Sequence, residues 1–272
     1  MMGICLSLDN EELAKSYDVM SNSQFENGIK LVEGLGIKAG DKVLDIGSGT
    51  GRLGAYVANI IGPAGSIIGI DPLEERIKIA NNKNQYSNAT YKIGTAEDLS
   101  FIPDNNIDVI YLNAVFHWVN DKEKALKEIF RVLKPKGKLG ITTIPRECIN
   151  YWDFAKIISD VFKRSEYNKF FYGSENQAEK YIVTTTELVV ILQKIGFFIS
   201  NLQVETHGWG FKTAKETLKH MNSSSFGNLF GRFTGAVKEQ VKLDIEAELE
   251  EYITKEGVNS KWHGIMAFAY KK

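Results

Sequence analysis

A chain of 272 residues, 43% hydrophobic and 25% charged, is long enough for one large α/β domain or for a core with a cover. Lys and Arg number 33 against 34 Asp and Glu, a net charge of -1, which leaves no positive field for a nucleic-acid backbone. The two cysteines, Cys5 and Cys148, have neither metal-ligand spacing nor a disulfide framework and point to a reducing, cytoplasmic setting; no apolar run reaches the roughly 18 residues of a membrane span.

Met2-Gly3-Ile4-Cys5-Leu6-Ser7 fits a myristoylation pattern if Met2 is the start, the plainer reading being a frayed tail. No signal-peptide core is present at this end. Residues 11–20 and 25–35 read as helices, the second with Phe25, Ile29, Leu31, Val32 and Leu35 at near-helical spacing. A polar turn then leads into the stretch around which the chain is organised. Val43, Leu44 and Ile46 form a short apolar strand, and Gly47, Gly49 and Gly51, interleaved with Ser48 and Thr50, make a turn that opens a helix over 52–61. Glycine reaches positive φ without penalty and admits a ligand to the backbone, and the helix start offers that ligand its free N–H groups. A second strand over 67–70 ends at Asp71, where a carboxylate can accept hydrogen bonds from both hydroxyls of an adenosine ribose. Arg52 stands where a dinucleotide fold needs a small residue, so that pattern fails. Asp45, at the end of the first strand, would repel a pyrophosphate and suits a ligand carrying an ammonium and a sulfonium.

Pro72 fits the first turn of a helix reaching residue 82. A third strand, 91–93, ends in Gly94-Thr95-Ala96-Glu97-Asp98-Leu99, whose acids otherwise read as an exposed turn and which looks like the adenine-side segment of the family named below, a backbone N–H donating to adenine N1 and Glu97 accepting from its amine. A fourth strand, 107–112, stops at Asn113-Ala114-Val115-Phe116-His117-Trp118. Ligands of open α/β sheets bind outside the carboxyl ends of strands where strand order reverses, so Asn113 to Trp118 should face cofactor and acceptor together. His117 could act as a general base, orient an acceptor oxygen, or be a structural histidine below the crevice. Residues 121–133 read as an amphipathic helix capped by Asp121, and 138–143 as a fifth strand.

Past Pro145 the pattern changes. Residues 151–163 read as a helix, 184–195 as another with a Thr-x-x-Glu capping box closed by Gly196, and 197–206 as a sixth strand. Residues 212–256 read as helical with a break over 223–228, and 262–270 as the last strand. Two insertions, 146–183 and 210–258, are rich in aromatics together with their borders, among them Trp152, Tyr172 and, at the border of the second, Trp209. Together with Trp118 they suit a small acceptor of apolar or aromatic character. Most of these rings are expected simply to hold the insertions to the core.

Asp45-Ile46-Gly47-Ser48-Gly49-Thr50-Gly51 closely resembles the first motif of the class I, Rossmann-like S-adenosylmethionine-dependent methyltransferases. Arg131-Val132-Leu133-Lys134-Pro135-Lys136-Gly137 is similar to a further family segment. Phe116-His117-Trp118 more loosely resembles the small-molecule branch that includes trans-aconitate and malonyl-carrier-protein methyltransferases. The resemblance implies a mixed seven-stranded α/β sheet with helices on both faces. Residues 1–145, 184–209 and 259–272 would form the core, and 146–183 and 210–258 a helical substrate lid. It implies S-adenosylmethionine as cofactor, no metal, and a cofactor site built from Tyr17 against the methionine end, Asp45, Gly47, Ser48, Gly49, Gly51, Asp71, Pro72, Ala96, Glu97, Asn113 and Ala114. The expected reaction is O-methylation of a small carboxylate or hydroxyl. N- or C-methylation, or a non-catalytic accessory subunit, are the alternatives.

Overall fold

The computed structural model describes residues 5–151, 153–170, 182–255 and 257–272. Residues 2–4, Trp152 and Tyr172 lie outside the described residues, and of Trp209 only the backbone is described. Helices α1 (Glu11–Met20) and α2 (Asn22–Leu35) come first. Asn10 caps α1 by accepting from the Leu13 N–H at 2.9 Å. Then follow β1 (Lys42–Ile46), α3 (Arg52–Ile61), β2 (Ser66–Asp71), α4 (Glu74–Lys83), β3 (Ala89–Ile93), β4 (Ile107–Asn113), α5 (Lys122–Val132) and β5 (Leu133–Thr143). The second half carries α6 (Asp153–Phe162), α7 (Ser165–Asn168), α8 (Thr185–Ile195), β6 (Phe197–Phe211), α9 (Ala214–Ser224), α10 (Gly235–Glu250), β7 (Ile253–Thr254) and β8 (Gly257–Lys271).

Seven long strands make one sheet in the order β3-β2-β1-β4-β5-β8-β6, and the two-residue β7 pairs with β8. β1 to β5 are parallel, whereas β8 runs antiparallel to both β5 and β6. Strand order reverses between β1 and β4, so their carboxyl ends open the crevice. Side chains of each strand alternate between two cores. Val43, Ile67 and Tyr111 pack toward α2, α3 and α4, and Leu44, Ile70 and Leu112 toward α5 and α8. Burial on both faces explains why the strands read as continuous apolar runs.

A third core gathers Phe154, Tyr167, Leu218, Phe230, Phe233 and Ile245 from α6, α7, α9, α10 and the turn between the last two. It rides on the antiparallel β6–β8 pair, whose pairing continues to Phe211↔Val258, well past Thr143↔Ile265 where β5 stops. Strands β6 and β8 thus outrun the expected 197–206 and 262–270. Gly208 and Gly210 weaken the local β signal, and the ladder between the two strands supplies what propensity lacks. The helical stretch expected over 212–256 with a break over 223–228 is two helices, α9 and α10, with the break at 225–234 and with residues 251–254 already leading into the β7–β8 turn. Pro72 is not in the first turn of α4. That helix begins at Glu74, because the Asp71 carboxylate takes the Leu73 N–H at 2.9 Å and holds Pro72 in the turn before it. Among the described residues no helix is long and apolar enough to cross a membrane.

Candidate active site

The glycine loop is fastened to the neighbouring strand. Gly47 N and Ser48 N both donate to the Ile70 carbonyl, at 2.7 and 2.9 Å. Gly47 has φ 76°, and a Cβ built there would stand 2.1 Å from the Val115 side chain, so position 47 tolerates no side chain. No side chain caps α3, and its first N–H groups are left to the concave side of the loop. Asp71 completes the fastening, its Oδ2 accepting from Gly49 N and its Oδ1 from Leu73 N, both at 2.9 Å.

Asp45 is 2% exposed, and its Oδ2 has no hydrogen-bond partner among the described residues. Burial pushes its carboxyl up to about 7, against the help of the Tyr111 phenol beside it on β4 and with the Asp71 charge adding to the rise. A buried acceptor in want of a cationic donor, beside a cradle that admits no Cβ, fits the amino end of S-adenosylmethionine.

Helices α1 and α2 close over this loop. Tyr17 stands over Gly49, where a Cβ would meet its ring at 3.2 Å. A small open cleft beneath them brings together Tyr17, Asp45, Gly47, Ser48 and Asn113, all named from sequence. It also exposes Ser21, Gln24 and Arg52, which sequence reasoning did not assign to the site. Arg52 donates to the Asp18 carbonyl and to the Ser21 hydroxyl, each at 3.2 Å, and to Asn22 Oδ1 at 2.9 Å, pinning the α1–α2 junction beside the loop. The one sequence signal for it was that it breaks the dinucleotide pattern.

On the acceptor side, Asn113 is fully engaged: its Nδ2 donates to the Gln24 carbonyl at 2.9 Å and its Oδ1 accepts from the Thr142 hydroxyl at 2.8 Å. Ala114 turns the chain at φ 57°, a strained conformation for a residue with a Cβ, and its N–H is held by the Thr142 carbonyl and hydroxyl. The half-buried His117 lies with Nδ1 3.3 Å from the Thr143 hydroxyl and its ring 5.1 Å from Trp118. Burial, and then the Lys122 cation, lower its pKa to about 3, so the ring stays neutral. Trp118 meets Phe226, just beyond α9, edge-on at 4.8 Å. Ala96 is buried and Glu97 half-buried at the end of β3, outside the cleft described above. Glu97 Oε1 accepts from Asn120 N at 3.1 Å and Asp121 N at 3.4 Å, tying this segment to the start of α5. Among the described residues no group of three or more His, Cys, Asp or Glu could hold a metal ion.

Comparison with known proteins agrees with this geometry. A family described as a methyltransferase domain matches residues 37–196, more than half of the chain. A demethylmenaquinone methyltransferase of Lactobacillus johnsonii is 30% identical over 68% of this chain and 81% of its own. A ubiquinone/menaquinone biosynthesis C-methyltransferase of Cronobacter sakazakii is 36% identical over 47% of this chain, which spans only 54% of that protein. Among solved structures, the YcgJ protein of Bacillus subtilis superimposes with a TM-score of 0.61 at 17% identity, covering 91% of this chain and 99% of that one. An S-adenosylmethionine-dependent methyltransferase of Aquifex aeolicus does so at 0.52 and 23%, over 70% and 90%. Family match and relative both extend well beyond the glycine loop, and the chain belongs to the class I S-adenosylmethionine-dependent methyltransferases that act on small molecules.

Proposed function

We propose that this methyltransferase acts on a small molecule bearing an oxygenated ring and methylates a ring carbon made nucleophilic by that oxygen. The observation that carries this reading is His117: neutral, beside Trp118 and Thr143 at the ends of β4 and β5. Nδ1 lies 3.3 Å from the Thr143 hydroxyl, and in this reading the other ring nitrogen, Nε2, meets a ring oxygen of the acceptor. A ring whose pKa is about 3 is a poor proton acceptor at neutral pH, so His117 orients the acceptor and does not act as a strong general base. S-adenosylmethionine, when bound, supplies a methyl group already activated on a sulfonium. What remains for the protein is alignment and exclusion of water.

In this reading Asp45 takes the cofactor's ammonium and Asp71 the ribose hydroxyls. Tyr17 lies over the methionine end, and Ala96 and Glu97 serve the adenine. Helices α6, α7, α9 and α10 serve as the lid, with Trp118 and Phe226 joining it to the acceptor side. The names of the two relatives above support carbon methylation. Methylation of a hydroxyl or carboxylate oxygen is the second reading, which the same contact from His117 Nε2 would serve. Calorimetry with S-adenosylmethionine and S-adenosylhomocysteine, followed by turnover on a panel of hydroquinones, phenols and carboxylic acids with the product's methyl position mapped by NMR, tests both. A C-methyl product establishes the first reading and an O-methyl product the second. Binding without turnover on any acceptor sinks both and leaves an accessory role.

A further inference from the structure

Helix α4 buries Arg76, Ile77 and Ala80 along one stripe, so Arg76 is a cation in a row otherwise apolar, its side chain only 7% exposed. Three separate segments converge on its guanidinium. The Tyr17 ring of α1 lies beneath it at 4.1 Å, the Ser223 carbonyl at the end of α9 accepts from Nη2 at 2.8 Å, and Asp9, just before α1, brings Oδ1 to 3.9 Å. Asp9 is itself buried, its side chain 4% exposed, and neither of its oxygens has a hydrogen-bond partner among the described residues. Asp71 adjoins this cluster through Gly49, whose N–H it takes at 2.9 Å beneath the Tyr17 ring; burial raises the carboxyl pKa of both Asp9 and Asp71, the Arg76 cation opposes that rise at both, and the Asp71 charge adds to it at Asp9.

We propose that Arg76 is a positioning residue for the cofactor site: it holds the Tyr17 ring, which stands over Gly49, together with the end of α9, and is the counter-charge of the buried acids gathered there. This rests on the reading of Asp71 as the ribose acceptor given above. The charged and titratable groups that face this spot are Arg76 and Glu75 from α4, Asp9 from the segment before α1, Tyr17 from α1, Asp45 from β1 and Arg52 from α3, whose cation bears on Tyr17. Three of the acids, Asp9, Asp45 and Asp71, are buried, Glu75 is half-exposed, and burial keeps the Tyr17 phenol protonated. Among the described groups, Arg76 is the cation that bears on both Asp9, 3.9 Å away, and Asp71. Without it, like charges in a low dielectric cannot all remain ionised, and a proton taken up by Asp71 occupies a lone pair that the Gly49 N–H, the Leu73 N–H or a ribose hydroxyl would otherwise use.

The test is the affinity for S-adenosylmethionine, measured by calorimetry from about pH 8 to about pH 5 for the wild type, Arg76→Met, Arg76→Lys and Asp9→Asn. Asp45 imposes its own acid limb on every variant, so the quantity read is the ratio of variant to wild-type Kd at each pH. For Arg76→Met the ratio should grow about tenfold or more toward acid, one pKa unit being tenfold. For Arg76→Lys, which keeps the charge and loses the planar stack, it should stay constant with pH. Asp9→Asn, which leaves Arg76 in place and guards against a misfolded Arg76→Met, should shift the ratio below one toward acid, because one repelling charge is gone. A pH-independent ratio for both Arg76→Met and Asp9→Asn would overturn the proposal and reduce Arg76 to packing. Wild-type protein that binds no S-adenosylmethionine would sink the proposed function itself, and an Asp71→Asn variant with unchanged affinity would remove the ribose reading on which Arg76 depends.

Discussion

Asp45 shows how a binding site stores electrostatic free energy. Set by the protein's own groups its carboxyl titrates near 7, above the ordinary carboxylate range, because burial disfavours its charge. The sign follows directly: a folded-state pKa raised above the unfolded value gives stability that is present at acid pH and is lost as pH rises through about 7. Asp45→Asn should therefore melt at a higher temperature than wild type above neutrality, while binding S-adenosylmethionine more weakly for want of a counter-charge to its ammonium. An ammonium brought against Asp45 favours the ionised form, so cofactor binding below about pH 7 should release a proton, seen as a binding enthalpy that varies with the ionisation heat of the buffer. His117 makes a contrasting case. With its ring neutral down to about pH 3, the rate profile should carry no histidine limb between about pH 5 and about pH 8, and His117→Ala should lose turnover while cofactor affinity stays normal. An acid limb near the ordinary histidine range that disappears in His117→Ala would restore the general-base role. At this scale the glycines, Asp45 and Asp71 were legible because their spacing alone defines the loop. Gln24 and Ser21 were not, because they reach the cleft only through the packing of α2 over a loop more than twenty residues further along the chain.

Individual elements obey local signals where those are strong. Thr184 and Glu187 form the expected capping box, Thr184 Oγ1 accepting from Glu187 N at 3.1 Å and Glu187 Oε2 from Thr184 N at 2.8 Å, and Gly196 closes α8 in the left-handed region. Thr184→Ala should cost about 1 kcal/mol of stability in denaturant titration. Cofactor affinity should be unaffected, because α8 packs on the sheet face away from the glycine loop. Ala114 runs the other way. At φ 57° its Cβ is strained, and Ala114→Gly should gain about 1 kcal/mol if its N–H bonds to Thr142 persist. An unchanged melting curve would mean that the strain is relaxed elsewhere in the turn. The element ends that sequence misplaced, those of β6 and β8, are ones whose stability comes from each other and from no residue preference of their own.

Across the whole molecule, the N-terminal segment straps the helical cover to the core. Cys5 N donates to Asn228 Oδ1 at 3.0 Å, Asn228 Nδ2 donates back to the Cys5 carbonyl at 3.3 Å, and a Cβ at Gly227 would press on the Leu8 carbonyl at 2.9 Å. His220 of α9 reaches Gln24 at 3.2 Å, and Gln24 in turn holds Asn113, so the cover and the end of β4 share one hydrogen-bonded line. Phe226→Ala, which removes the ring against Trp118, should speed amide exchange in α9 and raise KM for the acceptor while exchange of β1 and β4 stays slow. Equal acceleration in all these elements would show that the cover and the core unfold as one unit.

The sequence by itself determined the alternating α/β order, the glycine loop with its two acids, and hence the cofactor, because each of these is a short-range pattern in which neighbouring residues answer one physical demand. Only the tertiary structure decided how α1 and α2 close over the glycine loop, that Arg52 pins their junction, that Glu97 is tied to α5, and that Arg76 joins three segments at Tyr17. Those arrangements bring together residues tens to well over a hundred positions apart, and no local spacing encodes which buried charge will meet which when the helices pack.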